Sequence, residues 1–237
     1  MSAAAPRVSR TPLAGLALAT AVLPFVTAHL CYVISAKAGY IPACITYLTG
    51  CTSVSASGRH GWAFFIYKGG MIPSAMLLAA YWVLARHWLR SLGGRDPAAL
   101  RAAVALGLAS AAFYILYALF VGVPGELQVL LRRAGAAVHL GFAAFAQILL
   151  TREILRLPPD GRARIPAAVC RAKVACVLAL AGLTLLLIPI EYLVPDKDRG
   201  QNVIEWHFTT VMVAYYVLSG SAWRATGFRA GFSLARG

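Results

Sequence analysis

Six apolar runs, each about 20 residues long, constrain this chain more than any other feature of its sequence. They cover residues 13–35, 62–85, 102–123, 136–155, 174–193 and 205–223. About 20 apolar residues in a helix cross the hydrocarbon core of a membrane, and continuous runs of this length favour helices over strands. We therefore expect an all-α fold, a polytopic membrane protein with a six-transmembrane-helix bundle, in a single membrane domain over residues 1–237.

The composition excludes a water-soluble enzyme. Hydrophobic residues make up 60% of the 237 residues and charged residues 13%, and the mean hydropathy is +0.72. A soluble domain is about half apolar and about a quarter charged, so this chain lacks the polar residues to cover a globule in water. Arg7 and Arg10 resemble the start of a signal peptide, but the apolar run after them is too long for one. We interpret the first run as a retained helix.

Basic residues are distributed unequally between the two sides of the predicted bundle. The tails and the second and fourth loops, the fourth including Lys173, hold most of the 22 Lys and Arg residues. The other side and its membrane margin hold Lys37, Arg59, Lys68, Arg132, Arg133, Lys197 and Arg199. The positive-inside rule then places both termini in the cytoplasm. The net charge of +14 is thus a topology signal, and no nucleic-acid partner is expected.

The first non-cytoplasmic loop, residues 36–61, holds two of the five cysteines, Cys44 and Cys51. Outside the cytoplasm these two can close a disulfide, and the alternative is a pair of free thiols in a packed loop. The chain has no CxxC pair, so we expect no metal site of the zinc-finger kind.

The same loop continues into a polar segment just before the second apolar run. Its residues are Ser53, Ser55, Ser57, Gly58, Arg59 and His60. Small hydroxyls and a glycine there can present backbone N–H groups to an anionic lipid head group. The alternative is an N-cap and a turn before a helix.

Lys68 lies inside the second apolar run, where a charge is costly unless it reaches the interface or finds a partner. It either extends to the membrane surface, contacts a lipid phosphate, or pairs with Glu191 or Glu205. Gly70 and Ser74, four residues apart, are typical of a helix-packing contact.

The fourth run carries His139, Gln147 and Thr151 on one helical face, and such a face is expected to point into the bundle. The sixth run opens with Glu205, Trp206 and His207. Glu205 either interacts with the dipole of its helix N-terminus or forms an acid–base pair with His60, His139 or His207. Trp206 and Trp223 suit the two interfacial belts of a membrane protein.

No cofactor is expected. The five histidines could suggest haem ligation, but only His139 lies clearly within the predicted membrane core, so we reject that interpretation.

Three segments resemble the Frag/DRAM/Sfk family of six-span membrane proteins. They are TSVSASGRHGWAFFIYKGGMIPSAMLLAAYW, AGAAVHLGFAAFAQILLTREIL and IEWHFTTVMVAYYVLSGSAWRATGF. They are similar to the family's first outer loop with its second span, its fourth span and its sixth span. The resemblance is strongest to the branch of post-GPI-attachment-to-proteins factor two, also found as the amino-terminal module of Cwh-type proteins. Where the family often has an acidic residue and a proline, this chain has Arg59, His60 and Gly61.

The resemblance implies a role in lipid biology, such as the remodelling of GPI-anchor lipids. Our leading hypothesis is a protein that recognises or helps to remodel a membrane lipid or lipid anchor at the non-cytoplasmic face. The alternatives are an assembly or scaffold factor for another membrane protein, and a lipid acyltransferase or hydrolase. The expected location is a bacterial inner membrane, or the Golgi or another endomembrane in a eukaryote. The expected partners are membrane lipids or another membrane protein.

Two sets of candidate residues follow from these hypotheses. The lipid-binding candidates are Ser53, Ser55, Ser57, Gly58, Arg59, His60, Lys68, His139, Glu191 and Glu205. The catalytic candidates are Glu205, His207 and His139, with Glu205 orienting a histidine as general base.

Overall fold

The computed structural model of the protein describes residues 9–232, and these are almost entirely helical. The elements in chain order are β1 (Ser9–Pro12), α1 (Ala14–Lys37), α2 (Thr46–Thr49), α3 (Val54–Ser57), α4 (Gly61–Ser91), α5 (Ala98–Phe120), α6 (Glu126–Leu155), α7 (Pro159–Ala163), α8 (Ala167–Leu193), α9 (Lys197–Ala225) and β2 (Arg229–Phe232). Arg7 lies outside the described residues.

Five helices, α1, α4, α5, α6 and α8, are long and apolar enough to cross a membrane. They indicate an integral membrane protein with several spans. The sixth apolar run lies in α9, which has 29 residues but is more polar. Its first turns carry Lys197, Asp198 and Arg199, and many of its polar and aromatic side chains face other helices rather than the surface.

The six long helices pack as a ring in the order α6, α5, α4, α1, α9 and α8, and α8 also touches α6. The strand β1 pairs antiparallel with β2, so both described chain ends lie together. We call this side of the bundle the terminal end. The segment with α2 and α3 packs against α1 and the start of α9 at the opposite side, which we call the loop end.

The terminal half of the bundle is filled by aromatic side chains. Trp223 stacks on Tyr81 with 5.4 Å between ring centroids, and Trp88 donates a hydrogen bond from Nε1 to Thr226 Oγ1 at 2.9 Å. The prediction that Trp206 and Trp223 form interfacial belts is wrong, because they are only 1% and 0% exposed. Both point into the ring, since each lies on the face of α9 that packs against the neighbouring helices.

Close approach of α4 to α1 depends on Gly70. A Cβ atom there would overlap the side chain of Thr27, and Ser74 donates from Oγ to the Gly70 carbonyl at 2.7 Å. Both residues are buried. Gly70 and Ser74 therefore lie in a helix-packing contact of the kind their spacing predicted.

The helix α6 begins ten residues before the apolar run that predicted it. It starts after Gly125, whose φ of 115° is accessible to glycine, and Glu126 occupies its first turn, where a negative charge is favourable. Arg132 and Arg133 consequently lie within the helix. Because the two residues are adjacent, they point in different directions from it.

Candidate functional site

The loop end is covered by the segment that contains α2 and α3. This segment has an internal disulfide and forms hydrogen bonds to α9. Cys44 and Cys51 are joined by a disulfide, with 6.5 Å between their Cα atoms. Asn202 donates from Nδ2 to the Gly50 carbonyl at 2.8 Å, and Trp206 donates from Nε1 to the Thr52 carbonyl at 2.9 Å. These contacts hold α3 over the interior of the ring.

Three residues of the serine-rich segment have structural roles within α3 or at its ends. Ser53 is its N-cap, with Oγ accepting a hydrogen bond from the Ala56 amide at 3.0 Å. Ser57 donates from Oγ to the Val54 carbonyl at 2.6 Å. A Cβ atom on Gly58 would overlap the ring of Tyr67. For these residues the geometry corresponds to the alternative of an N-cap and a turn.

Ser55 instead brings two arginines together. Its Oγ accepts a hydrogen bond from Arg59 Nη2 at 3.1 Å and another from Arg132 Nη1 at 3.1 Å. Burial, and then the positive charge of Arg132, lower the pKa of Arg59. Arg59 Nε is buried and has no hydrogen-bond partner among the described residues. The two guanidinium groups thus bind the same hydroxyl, and each of them keeps N–H donors that are not used in this contact.

Glu205 faces the same place from α9. Its carboxylate lies against the backbone amides of Val54 and Ser55 and within the fields of Arg59 and Arg132. Within residues 9–232, neither arginine forms an ion pair with it. Because α9 begins at Lys197, Glu205 lies in the third turn, too far from the N-terminus to interact strongly with the helix dipole.

A cavity of about 70 Å³ extends from Glu205 into the ring. Its walls are mainly apolar and aromatic, with contributions from Pro24 and Phe25 of α1, Leu140 of α6, and Trp206 of α9. Phe25 is also exposed on the outer surface, so the cavity lies close to the side of the bundle.

A second cavity of about 70 Å³ continues towards the terminal end and reaches Tyr216. Pro24, Tyr114, His139 and Leu140 line both cavities. From Glu205 to Tyr216 is 11 residues of α9, or about 16 Å at 1.5 Å per residue. That is about half of the ~30 Å hydrocarbon core, the depth of one lipid leaflet. We call the two cavities together the slot.

The histidines do not form the acid–base pairs that were one of the two alternatives for Glu205. His139 is buried, and its Nδ1 lies 2.9 Å from Ser110 Oγ, while its ring stacks on Tyr114 at 4.2 Å. His207 Nε2 lies 3.1 Å from the Tyr47 carbonyl, on another side of α9 from Glu205. No hydrogen bond within residues 9–232 joins Glu205 to any histidine.

Three predicted lipid-binding residues lie outside this site. Lys68 donates from Nζ to the Leu119 carbonyl at 2.9 Å and does not pair with Glu191 or Glu205. Glu191 instead pairs with Lys197 at 2.7 Å. His60 packs against Tyr40 with 5.4 Å between ring centroids. The site therefore consists of Ser55, Arg59 and Glu205 from the predicted set, with His139 deeper in the slot.

Sequence reasoning missed Arg132 as a site residue. Arg132 precedes His139 by seven residues, two helical turns, and this spacing places both on one face of α6. This spacing is visible in the sequence, but it indicates a shared face only if the fourth helix begins before Arg132. Tyr67 and Tyr117 were also missed; their hydroxyls are hydrogen-bonded at 2.8 Å beneath the arginines.

Lys173 was assigned to a cytoplasmic loop, but its side chain is buried in the bundle. It donates from Nζ to Ser219 Oγ at 2.7 Å and lies 3.4 Å from the centre of the Tyr215 ring. The helix α8 begins at Ala167 and turns this residue towards α9, so its amino group contacts a hydroxyl and an aromatic face.

Comparison with protein families, characterised proteins and solved structures yields no match. The fold and the site therefore define the class: a helical integral membrane protein with a charged site at one end of its bundle and an apolar slot beneath it.

Proposed function

We propose that this protein binds a membrane lipid at the non-cytoplasmic face, in the manner of proteins that recognise or help to remodel lipids. The observation that carries the proposal is the meeting of Arg59, Arg132 and Glu205 above an apolar slot inside the bundle. A lipid has the same division, with a polar head and an apolar chain. The resemblance to the Frag/DRAM/Sfk family supports the same class of function.

The proposal includes six spans, with both termini in the cytoplasm. Pairing of β1 with β2 supports an even number of crossings, because it keeps both described chain ends at the terminal end. The low hydropathy of α9 is compatible with a span, since many of its polar and aromatic side chains face other helices and not lipid. The excess of Lys and Arg at the terminal end supports a cytoplasmic location for that end.

Cysteine labelling tests whether α9 crosses the membrane. In a Cys176→Ser background, Asp198→Cys should react with a membrane-impermeant maleimide in right-side-out vesicles, whereas Arg224→Cys should react only after permeabilisation. Both residues are exposed and lie at opposite ends of α9. Arg95→Cys, in the loop between α4 and α5, is the control and should behave like Arg224→Cys. Labelling of positions 198 and 224 from the same side would contradict the sixth span.

Native mass spectrometry of the protein in mild detergent tests the lipid site. We expect a defined lipid at near one-to-one stoichiometry, and Leu140→Trp should lower its retention at least tenfold, because the larger side chain fills the slot. Phe145→Trp is the matched control on the same helix, since Phe145 is 61% exposed, and should retain the lipid. A bulk lipid mixture on the wild-type protein, or equal retention by a folded Leu140→Trp variant, would refute the proposal.

A second candidate function, as an assembly factor for another membrane protein, is favoured by α8. Only Cys170, Lys173 and Leu180 of its 27 residues are buried, and its apolar half near the loop end is exposed. Such a surface fits a neighbouring transmembrane helix as well as lipid. Photo-crosslinking from position 186 should give one stoichiometric protein adduct if this candidate is right, and only lipid adducts otherwise.

A further inference from the structure

The charges of the site are unbalanced. Two guanidinium groups and one carboxylate leave a surplus of one positive charge when Glu205 is ionised. Neither Arg59 nor Arg132 is among the ion pairs within residues 9–232. Leaving a charge without a counter-charge in a partly buried site is costly, so a ligand that brings at least one negative charge fits the site electrostatically.

The arrangement of the arginine N–H donors further narrows the chemical class of the head group. A guanidinium group presents a planar fork of N–H donors that matches the oxygens of phosphate, and each arginine here spends only one donor on Ser55. Arg59 Nε remains buried without a partner. Two forks that meet at one point suit a group with several oxygens in tetrahedral arrangement, and a phosphate ester brings about one to two negative charges.

The volume and length of the slot limit the size of the apolar part of the ligand. Each of its two sections has a volume of about 70 Å³, and the sections share lining residues, so the slot accepts at most one chain and not two side by side. Its length of about 16 Å along α9 corresponds to one leaflet. Glu205 lines this path near the loop end, and its carboxylate lies within the fields of Arg59 and Arg132, so head and chain would occupy adjoining places.

We propose that the ligand is a phosphate-bearing lipid, with its phosphate between Arg59 and Arg132 and a single acyl chain in the slot. This inference rests on the proposed function and specifies its ligand class. Arg132 would act as a specificity-determining residue, because it is the cation that α6 contributes beside the slot. Its neighbour Arg133 is exposed and would take no part.

Binding titrations with three related probes test the proposal on the full-length protein in detergent. The probes are an acyl glycerol phosphate, the monoacylglycerol with the same chain, and glycerol phosphate. We expect the monoacylglycerol to bind at least tenfold more weakly and glycerol phosphate at least a hundredfold more weakly. Equal binding of the monoacylglycerol would overturn the phosphate assignment, and equal binding of glycerol phosphate would identify a site for free phosphate instead of lipid.

The paired variants Arg132→Gln and Arg133→Gln remove the same charge from adjacent positions. Arg132→Gln should weaken binding of the acyl glycerol phosphate at least tenfold, and Arg133→Gln less than twofold. Equal losses would show general surface attraction and refute the site. If Arg132→Gln does not fold, as judged by its melting temperature, the three probes on the wild-type protein decide alone. A defined neutral lipid retained in native mass spectrometry would refute this inference while leaving the proposed function intact.

Discussion

Replacing Trp223 with alanine is expected to lower the free energy of unfolding by about 3–5 kcal/mol, the range for a large buried aromatic side chain. Trp223 is fully buried and contacts Tyr81, Trp88 and Phe228. In a membrane this free energy comes from lost van der Waals packing and not from the hydrophobic effect. The cavity left by the substitution stays open because the neighbouring side chains are rigid aromatic rings. Reversible unfolding in mixed micelles measures the change.

Trp62→Ala is the matched control for this prediction. Trp62 is 76% exposed at the start of α4, so its truncation should change the free energy of unfolding by about 0.5 kcal/mol or less. Equal losses for the two variants would contradict the assignment of Trp223 to the packed interior and restore the interpretation of Trp223 as an interfacial anchor.

The second large effect is expected from the disulfide. Replacing Cys44 and Cys51 together with serine should destabilise the protein by about 2.5 kcal/mol, the chain-entropy estimate for a loop of this length. The two cysteines are seven residues apart, and the loop they close precedes α3, which carries Ser55. Loosening it should also weaken lipid retention, because Arg59 and Arg132 are held together through that serine.

A reducing agent provides the control for the disulfide. It should lower the melting temperature of the wild-type protein and leave that of the double-serine variant unchanged. The other three cysteines, Cys31, Cys170 and Cys176, are free thiols, so reduction has no other bonded target within residues 9–232. A wild-type melting temperature that does not respond to reduction would refute the stabilising role of the bond.

The division of the bundle into two halves explains why the charged site with its slot forms at the loop end. Near the terminal end, large rings such as Tyr81 and Trp223 fill the space between helices. The helix α6 lies against α9 over only a short stretch, and Pro24 and Leu140 line the gap that remains towards the loop end. The charged residues at the mouth of this gap come from three separate parts of the chain.

Sequence alone predicted the helices because the length and apolar character of a membrane span do not depend on its neighbours. It also predicted that His139, Gln147 and Thr151 face inwards, and all three are buried. The positions of Lys68 and Glu191 could not be derived in this way. Both are charged residues near the same membrane margin as Glu205, and only the rotation of each helix decides which of them enters the bundle.

The amino-acid sequence by itself determined that this protein is helical and suited to a membrane, since local composition is sufficient for both. It also supplied Ser55, Arg59 and Glu205 as candidates, because polar residues beside apolar runs are conspicuous. Only the tertiary structure decided that Arg132 joins them, that Trp206 and Trp223 are interior residues, and that a slot lies below. These features depend on which faces of distant helices meet, and contacts between residues far apart in the chain leave no local pattern.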